Sequence, residues 1–375
     1  MSRERAFWFA WSQIQGMGPI LQKRLANGFG SLAAAWEATP EALQQVEGIG
    51  HKLAWEIAQQ RAQLRPEDVL DDKIPFLTPA DAAYPALLYE IPDPPPVLYY
   101  RGRLDLLNAC QTHPAAGIVG TRRPSEYGKR WTRRLSTALS RAGFLIISGL
   151  ADGIDREAHQ SCLDARGQTI AILGTGVDVV YPHRNQELHQ AIAESGLLLS
   201  EYPPGTPPDR VHFPRRNRII AGLSRAILVT EAPEKSGALI TAQLANDYGR
   251  DVFALPGSLD NPRCRGCLTL VNQGAQLILG EDPLINVLGG IPVEKLAKQP
   301  QESPRLSAQL PDLPPHLLQV FQSVPEEARS VDMIVQAVAE LSTGEVLSAL
   351  TQLELMGLVS SLPATQQYQR CGGAP

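Results

Sequence analysis

No stretch of this 375-residue chain approaches the roughly 20 consecutive apolar residues that a membrane-spanning helix needs. The patch Ala6 to Trp11 gives way at once to Ser12 and Gln13, too short for the apolar centre of a secretory signal. The expectation is a soluble, cytoplasmic protein with no membrane partner. Cysteine is scarce: Cys110, Cys162, Cys264, Cys267 and Cys371 are odd in number and widely spread, which suits reduced thiols and not a disulfide framework. An excess of positive charge is also missing, since 34 Lys and Arg stand against 39 Asp and Glu for a net charge of −5. That excludes a uniformly basic nucleic-acid coat and leaves room for a local basic cleft. Catalytic and cofactor signatures are lacking too. Cys264-Arg265-Gly266-Cys267 has no second pair and no suitable histidine nearby, so zinc is not expected. Gly174-Thr175-Gly176 fails as a dinucleotide fingerprint because Val179 occupies the third glycine position, and neither a phosphate-gripping P-loop nor a G-x-S-x-G elbow is present. No cofactor, metal or catalytic group is expected.

What is present is 43% hydrophobic residues on a length that allows two or three domains. Residues 1–70 form the first expected domain, and over the first 65 Trp8, Trp11, Ile14, Leu21, Leu25, Leu32, Trp36, Leu43, Leu53, Trp55 and Ile57 recur at mostly helical intervals. Gly16-Met17-Gly18 recurs 32 residues later as Gly48-Ile49-Gly50. A helix-hairpin-helix pair whose glycines admit a phosphate is one reading, with Lys23, Arg24, His51 and Lys52 beside it; two tight turns in a helical bundle is the other.

Residues 71–297 form the second expected domain. Its proline-rich start, with Pro92-Asp93-Pro94-Pro95-Pro96, reads as an extended connector. Short runs apolar on both faces follow, at Ala115–Val119, Phe144–Ile147, Thr169–Leu173, Leu197–Ser200, Ala226–Thr230, Asp251–Leu255 and Ala275–Leu279, separated by helical segments. This alternation predicts an α/β fold, an extended Rossmann-like doubly wound parallel sheet with ligands beyond the carboxyl ends of its strands. Residues 298–315 read as a linker, and 316–375 as a winged helix of three helices and a two-stranded wing. Its third helix, opened by the capping-box spacing Ser342 to Glu345, carries Glu345 and Glu354 and no Lys or Arg, which favours a protein contact over a DNA groove.

The turns after the strands hold the candidate binding residues. Gly120 and Thr121 end the first strand and Arg122 and Arg123 follow with forked donors for phosphate, whereas Lys129, Arg133 and Arg134 read as an ordinary solvated helix start. Ser148 and Gly149 open the second turn, where Asp155 and His159 form a conceivable acid/base pair but suit structural hydrogen bonds better. The third turn holds His183 and Arg184. The fourth connection places Phe213 before Arg215, Arg216, Asn217 and Arg218, a positive cluster at a helix's positive end that needs an anion or buried acids such as Glu201 and Glu231. Lys235, Ser236 and Gly237 precede the next helix as a phosphate-ready terminus, and Phe213 or Tyr181 offers a ring for a base.

In family order, Val119-Gly-Thr-Arg-Arg-Pro, Ser148-Gly-Leu-Ala-Asp-Gly-Ile-Asp, Tyr181-Pro-His-Arg-Asn, Ser200-Glu-Tyr-Pro-Pro-Gly, Phe213-Pro-Arg-Arg-Asn-Arg-Ile-Ile-Ala-Gly-Leu-Ser, Lys235-Ser-Gly-Ala-Leu-Ile-Thr-Ala and Gly249-Arg-Asp-Val-Phe-Ala-Leu-Pro-Gly resemble the DNA-processing protein A family, also called Smf. The resemblance covers roughly residues 80 to 285, with flanks similar to a sterile-alpha-motif-like domain and a variable winged helix. It implies a homodimer that binds and protects incoming single-stranded DNA and loads the RecA recombinase onto it during natural transformation. The implied strand contacts fall on Arg122, Lys235, Ser236 and Gly237. In several members a lysine follows Tyr-Pro in the third motif; here that place holds His183, with Arg184 next, which leaves the phosphate contact open between them. The rival reading is a Rossmann-type nucleotide phosphoribohydrolase, and a third is an adaptor acting through the winged helix.

Overall fold

The computed structural model describes residues 3–68, 75–112, 114–289, 313–325, 329–338, 341–356, 358–362 and 367–370. The expected boundaries at 70/71 and 297/298, the linker as far as residue 312, Glu340, Gly357 and Cys371 lie outside the described residues. The chain divides into two compact units, split between residues 299 and 300.

In the first unit, helices Arg3–Gln13, Pro19–Phe29, Leu32–Glu37, Pro40–Leu43 and His51–Arg61 enclose a core of Trp11, Leu25, Leu32, Leu43 and Ile57. The two glycine turns face one another reciprocally. A Cβ on Gly16 would stand 2.9 Å from Leu53, and one on Gly48 2.9 Å from Leu21, the two leucines being separated by the same 32 residues as the glycines. Both glycines have positive φ, +88° and +93°, where a side chain would be strained. The cations beside these turns have protein partners: Lys23 donates to the carbonyls of Tyr89 and Ile91 at 2.8 Å each, and Arg24 pairs with Glu47 at 3.2 Å.

Among the described residues the sheet has nine strands: β1 (Phe76–Leu77), β2 (Leu98–Gly102), β3 (Ala115–Val119), β4 (Leu145–Ser148), β5 (Gln168–Ile172), β6 (Leu197–Ser200), β7 (Ala226–Val229), β8 (Asp251–Ala254) and β9 (Gln276–Leu277). Their order is β1-β2-β6-β5-β4-β3-β7-β8-β9. Among β3 to β9 every pairing is parallel, and each of the seven expected runs supplies a strand. Neighbouring residues bury on opposite faces: Ile118, Ile146 and Leu228 on one, Val119, Ile147 and Val229 on the other, which is why these runs read apolar throughout. The sheet is not wholly parallel. The expected connector holds β1 and β2, which join antiparallel, β2 pairing Tyr99 with Ser200 on β6. The prolines before β2 masked it, and edge positions are where a sheet tolerates such neighbours.

Chain direction across the sheet reverses at β3: the path runs outward through β4, β5 and β6, then returns to β7 on the other side. Loops leaving β3 and β7 therefore part from each other and open a crevice at that point.

The second unit has helices Pro315–Ser323, Val331–Ala337 and Thr343–Leu355 and a three-stranded sheet of Arg329–Ser330, Gln367–Arg370 and Val359–Leu362, with Gln367–Arg370 in the middle. The capping box forms: Ser342 Oγ accepts from the Glu345 amide, and the Ser342 amide donates to Glu345 at 2.8 Å. The short strand at Arg329–Ser330 is an addition to the expected wing.

Candidate nucleic-acid interface

Beyond the carboxyl ends of β3 and β7 lies a crevice of about 670 Å³. Gly120, Thr121 and Arg122 form one wall, Lys235, Ser236 and Gly237 the other, and Phe213 and Asn217 a third side. The turn after β3 is held by Glu231, wholly buried at the end of β7. Its carboxylate accepts from the Ser125 amide at 2.7 Å and from Ser125 Oγ at 2.6 Å, while its carbonyl accepts from the Thr121 amide at 2.7 Å. Arg123's amide donates to Thr121 Oγ1, so the backbone is fixed and the guanidinium of Arg122 is left exposed over the opening. On the far wall Lys235 is exposed, and Ser236 caps helix Gly237–Asp247 by accepting from the Ala238 amide. The positive end of that helix's dipole favours an anion there.

Phe213 stands between the two walls. Its ring centroid lies 5.4 Å from Tyr181 at an interplanar angle of 32°, and the Arg122 guanidinium carbon lies 5.2 Å from it. The ring reaches this place because residue 174 has no side chain: a Cβ there would come within 2.9 Å of Phe213 Cδ1. Asn217 reaches across to the Gly237 carbonyl at 3.3 Å, linking helix His212–Leu223 to the Lys235 wall.

The arginine cluster of that helix is divided in purpose. Arg218 is buried and enclosed by carboxylates, pairing with Glu201 at 2.7 Å and Asp93 at 2.8 Å. Burial opposes its charge, but the two acids overcome this and raise its pKa. The ion-pair network expected with Glu201 and Glu231 is thus made with Glu201 and Asp93, because Glu231 is occupied by Ser125. Arg216 is buried at the crevice floor, donating to the carbonyls of Gly149 at 2.6 Å and Ile172. Burial lowers its pKa to about 10 against the pull of Asp155. Asp155, its own pKa raised by burial, accepts from the amides of Gly149 at 3.1 Å and Ala151 at 3.4 Å. Together these two side chains clamp the turn after β4; Gly149 fits because a Cβ there would strike the Arg216 guanidinium.

Several predicted residues therefore stand elsewhere. Arg218 lies in its ion pairs, and Arg215 is exposed but outside the crevice lining. Ser148 is wholly buried with its hydroxyl on the Ile118 carbonyl at 2.6 Å. Arg123 and Arg184 line a neighbouring groove, and His183 is exposed farther along beside Arg184. Asp155 and His159 make no acid/base pair: His159 Nδ1 contacts Thr169 Oγ1 at 2.7 Å, and burial lowers the imidazole's pKa to about 3. Sequence reasoning missed Arg210, which lines the crevice from the long connection after β6; its place in a Pro-Pro-Asp-Arg run beside the Phe213 motif was the available signal. Among the described residues no cluster of His, Cys, Asp and Glu suits a metal, and Cys264 and Cys267 are buried. No helix of the described residues is long and apolar enough to cross a membrane.

These features define a doubly wound α/β protein with a cationic crevice at its switch point and a winged-helix unit at its C-terminal end. Comparison of the chain with protein families gives this class a name. Residues 75–289 match the model for DNA recombination-mediator protein A, and residues 301–365 match the DprA winged helix domain. The chain belongs to the DprA/Smf family. It is 50% identical to the Smf protein of Synechocystis over 98% of this chain and 99% of that one, and 38% identical to the Smf protein of Escherichia coli over 76% and 75%. The X-ray structure of DNA processing protein A from Streptococcus pneumoniae superposes with a TM-score of 0.65 at 33% identity, covering 76% of this chain and 98% of that one. A structure of the Helicobacter pylori protein that addresses its single-stranded DNA binding mode gives a TM-score of 0.52 at 33% identity, covering 58% and 98%.

Proposed function

We propose that the crevice grips the backbone of single-stranded DNA and that the protein protects incoming strands and passes them to RecA during natural transformation, with no covalent bond made or broken. One observation carries this: Arg122 and Lys235 stand exposed on opposite walls of a crevice whose other lining includes the ring of Phe213. Cations spaced along a groove with an aromatic side are the combination that holds an unpaired strand irrespective of its sequence. The binding mode described for the Helicobacter pylori relative supports the same ligand. A homodimer fits the free edge of the sheet at β9, where Leu277 is 45% exposed and Leu279, just beyond it, 75%. Titrating a labelled oligonucleotide, single against double stranded, at several salt concentrations tests the proposal; equal affinity for both forms would defeat it.

The competing reading, a phosphoribohydrolase, is favoured by Asp155, a buried carboxylate at the crevice floor with a raised pKa. Its bonds to the amides of Gly149 and Ala151 give it a structural task. Release of free base from any nucleoside monophosphate, followed by chromatography, would establish the enzyme.

A further inference from the structure

A second opening adjoins the crevice. It is a groove of about 610 Å³ between helices Glu126–Arg141 and Ile154–Asp164, and it meets the crevice at Arg122. Its cations are Arg122, Arg123, Lys129, Arg133, Arg156 and Arg184, set against the carboxylates of Asp152, Glu157 and Asp164. On a chain of net charge −5, an excess of this sign in one groove concentrates anions there.

The carboxylates are all engaged within the protein. Asp152 pairs with Arg184, Glu157 pairs with Arg133 at 2.6 Å, and Asp164 accepts from Gln160 at 2.9 Å. Lys129 pairs with Glu126 at 2.8 Å. Among the described residues, the exposed side chains of Arg123 and Arg156 make no hydrogen bond or ion pair, and Arg122 rests only on the Phe213 ring. Ion pairs thus offset Asp152 and Glu157, and the guanidiniums of Arg122, Arg123 and Arg156 remain in the groove against the one carboxylate, Asp164, that has no cation partner. Among the described residues no aromatic side chain lines the groove, in contrast to the crevice with Phe213 and Tyr181. Such a surface offers forked donors for phosphates and nothing on which a base would stack.

We propose that this groove is a second phosphate track, occupied by the part of the single strand that leaves the crevice past Arg122, with its bases turned outward. The proposal rests on the reading of the crevice as the single-strand site. It gives Arg156, which no sequence pattern singled out, a ligand contact, and it moves Arg123 and Arg184 from the crevice to the exit.

Fluorescence anisotropy of two labelled oligothymidylates tests it with the full-length protein. One has about 4 nucleotides, enough for the crevice, and the other about 12, within the range over which single-strand sites extend. Arg156→Glu is expected to weaken the longer oligomer about tenfold and to lower its salt slope by at least about 0.7, the share of one phosphate contact on a single strand. The shorter oligomer should bind the variant as it binds the native protein, and Arg156→Lys should restore most of the loss. Unchanged binding of the longer oligomer overturns the track, and so does an equal loss with both lengths, which would mark a general field effect. The crevice has its own control: Arg122→Ala with Lys235→Ala should lose both lengths. If that pair loses them and Arg156→Glu loses neither, the crevice stands and the track falls. If neither oligomer binds the native protein, both readings fall.

Discussion

Arg216 and Arg218 on helix His212–Leu223, and Arg122 and Arg123 on the turn after β3, come from equally basic stretches of sequence and meet at the same end of the sheet. The first two are buried, at 4% and 6% exposure, and the bonds they make go to protein groups: carbonyls for Arg216 through Nη1, the acids Glu201 and Asp93 for Arg218. The second two are exposed, and their turn is fixed by backbone bonds to Glu231 and Thr121 that leave both guanidiniums unspent. What separates the sets is the supply of acid around them. A buried arginine must be neutralised within the fold, whereas an exposed one over a crevice can wait for a ligand. A run of arginines therefore announces a need for anions and does not say who provides them.

The sharpest way to break this comparison is to remove a member of the buried set. Arg218→Ala leaves Glu201 and Asp93 facing each other without their cation, and truncating one partner of such a buried group costs about 3–5 kcal/mol. Urea unfolding should show a loss of that size. A loss under about 1 kcal/mol would mean that the pairs are no more than surface contacts.

The exposed set should behave in the opposite way. Arg122→Ala together with Lys235→Ala should change unfolding free energy by less than about 0.5 kcal/mol, as exposed side chains do. Affinity for an oligothymidylate should fall on the order of a hundredfold in moderate salt, and the salt slope should fall by about 1.4, two contacts at about 0.7 each. Filter retention at a series of salt concentrations reads both quantities. A stability loss comparable to that of Arg218→Ala would erase the distinction between the sets.

Much of this was legible in the sequence, and all but one of the failures share a cause. The parallel strands announced themselves because both faces are buried, so apolar residues run without alternation, and the Ser342 capping box showed in the three-residue spacing to Glu345. Arg122, Phe213 and Lys235 could be picked because each follows a strand end, and a doubly wound sheet gathers those ends at one edge. What local pattern could not give was pairing across long separations. Arg218 to Asp93 spans 125 residues, and Glu231 to Ser125 spans 106. Burial of Arg216 is likewise set by the packing of its helix on the turn at Gly149. Strand β2 failed for a different reason: its prolines lie just outside it, and the signal for a loop overlay the signal for an edge strand.

A gentler probe of the buried side uses pH. His159 is wholly buried and its folded pKa is lowered to about 3 by burial, then by Arg216, while an unfolded imidazole sits near 6.5. Below about pH 6.5 the unfolded state binds the proton and the folded state does not, so stability falls as the pH drops from 6.5 toward 3. At pH 5 the loss from this one group is about 2 kcal/mol. Urea midpoints at pH 7 and pH 5 should differ less in His159→Asn than in the native protein; identical differences would remove His159 from the buried set.

The smallest expected effect concerns Phe213, which shares its helix with the buried pair and lies against the exposed Arg122. Its ring is held from below by the space at Gly174 and flanked by Tyr181, and Arg122 lies over it. Two roles are open to such a ring. It can stack on a base, worth about 1–3 kcal/mol per base, or it can merely steer the Arg122 guanidinium. Phe213→Ala should weaken binding about tenfold for stacking on one base, to a similar degree with oligothymidylate and oligoadenylate, and Phe213→Tyr should keep most of the affinity. The double-mutant cycle with Arg122→Ala separates the roles. If Phe213→Ala loses its effect once Arg122 is gone, the ring only holds the arginine; if the two losses add, the ring meets the strand itself, and the exposed set consists of more than charge.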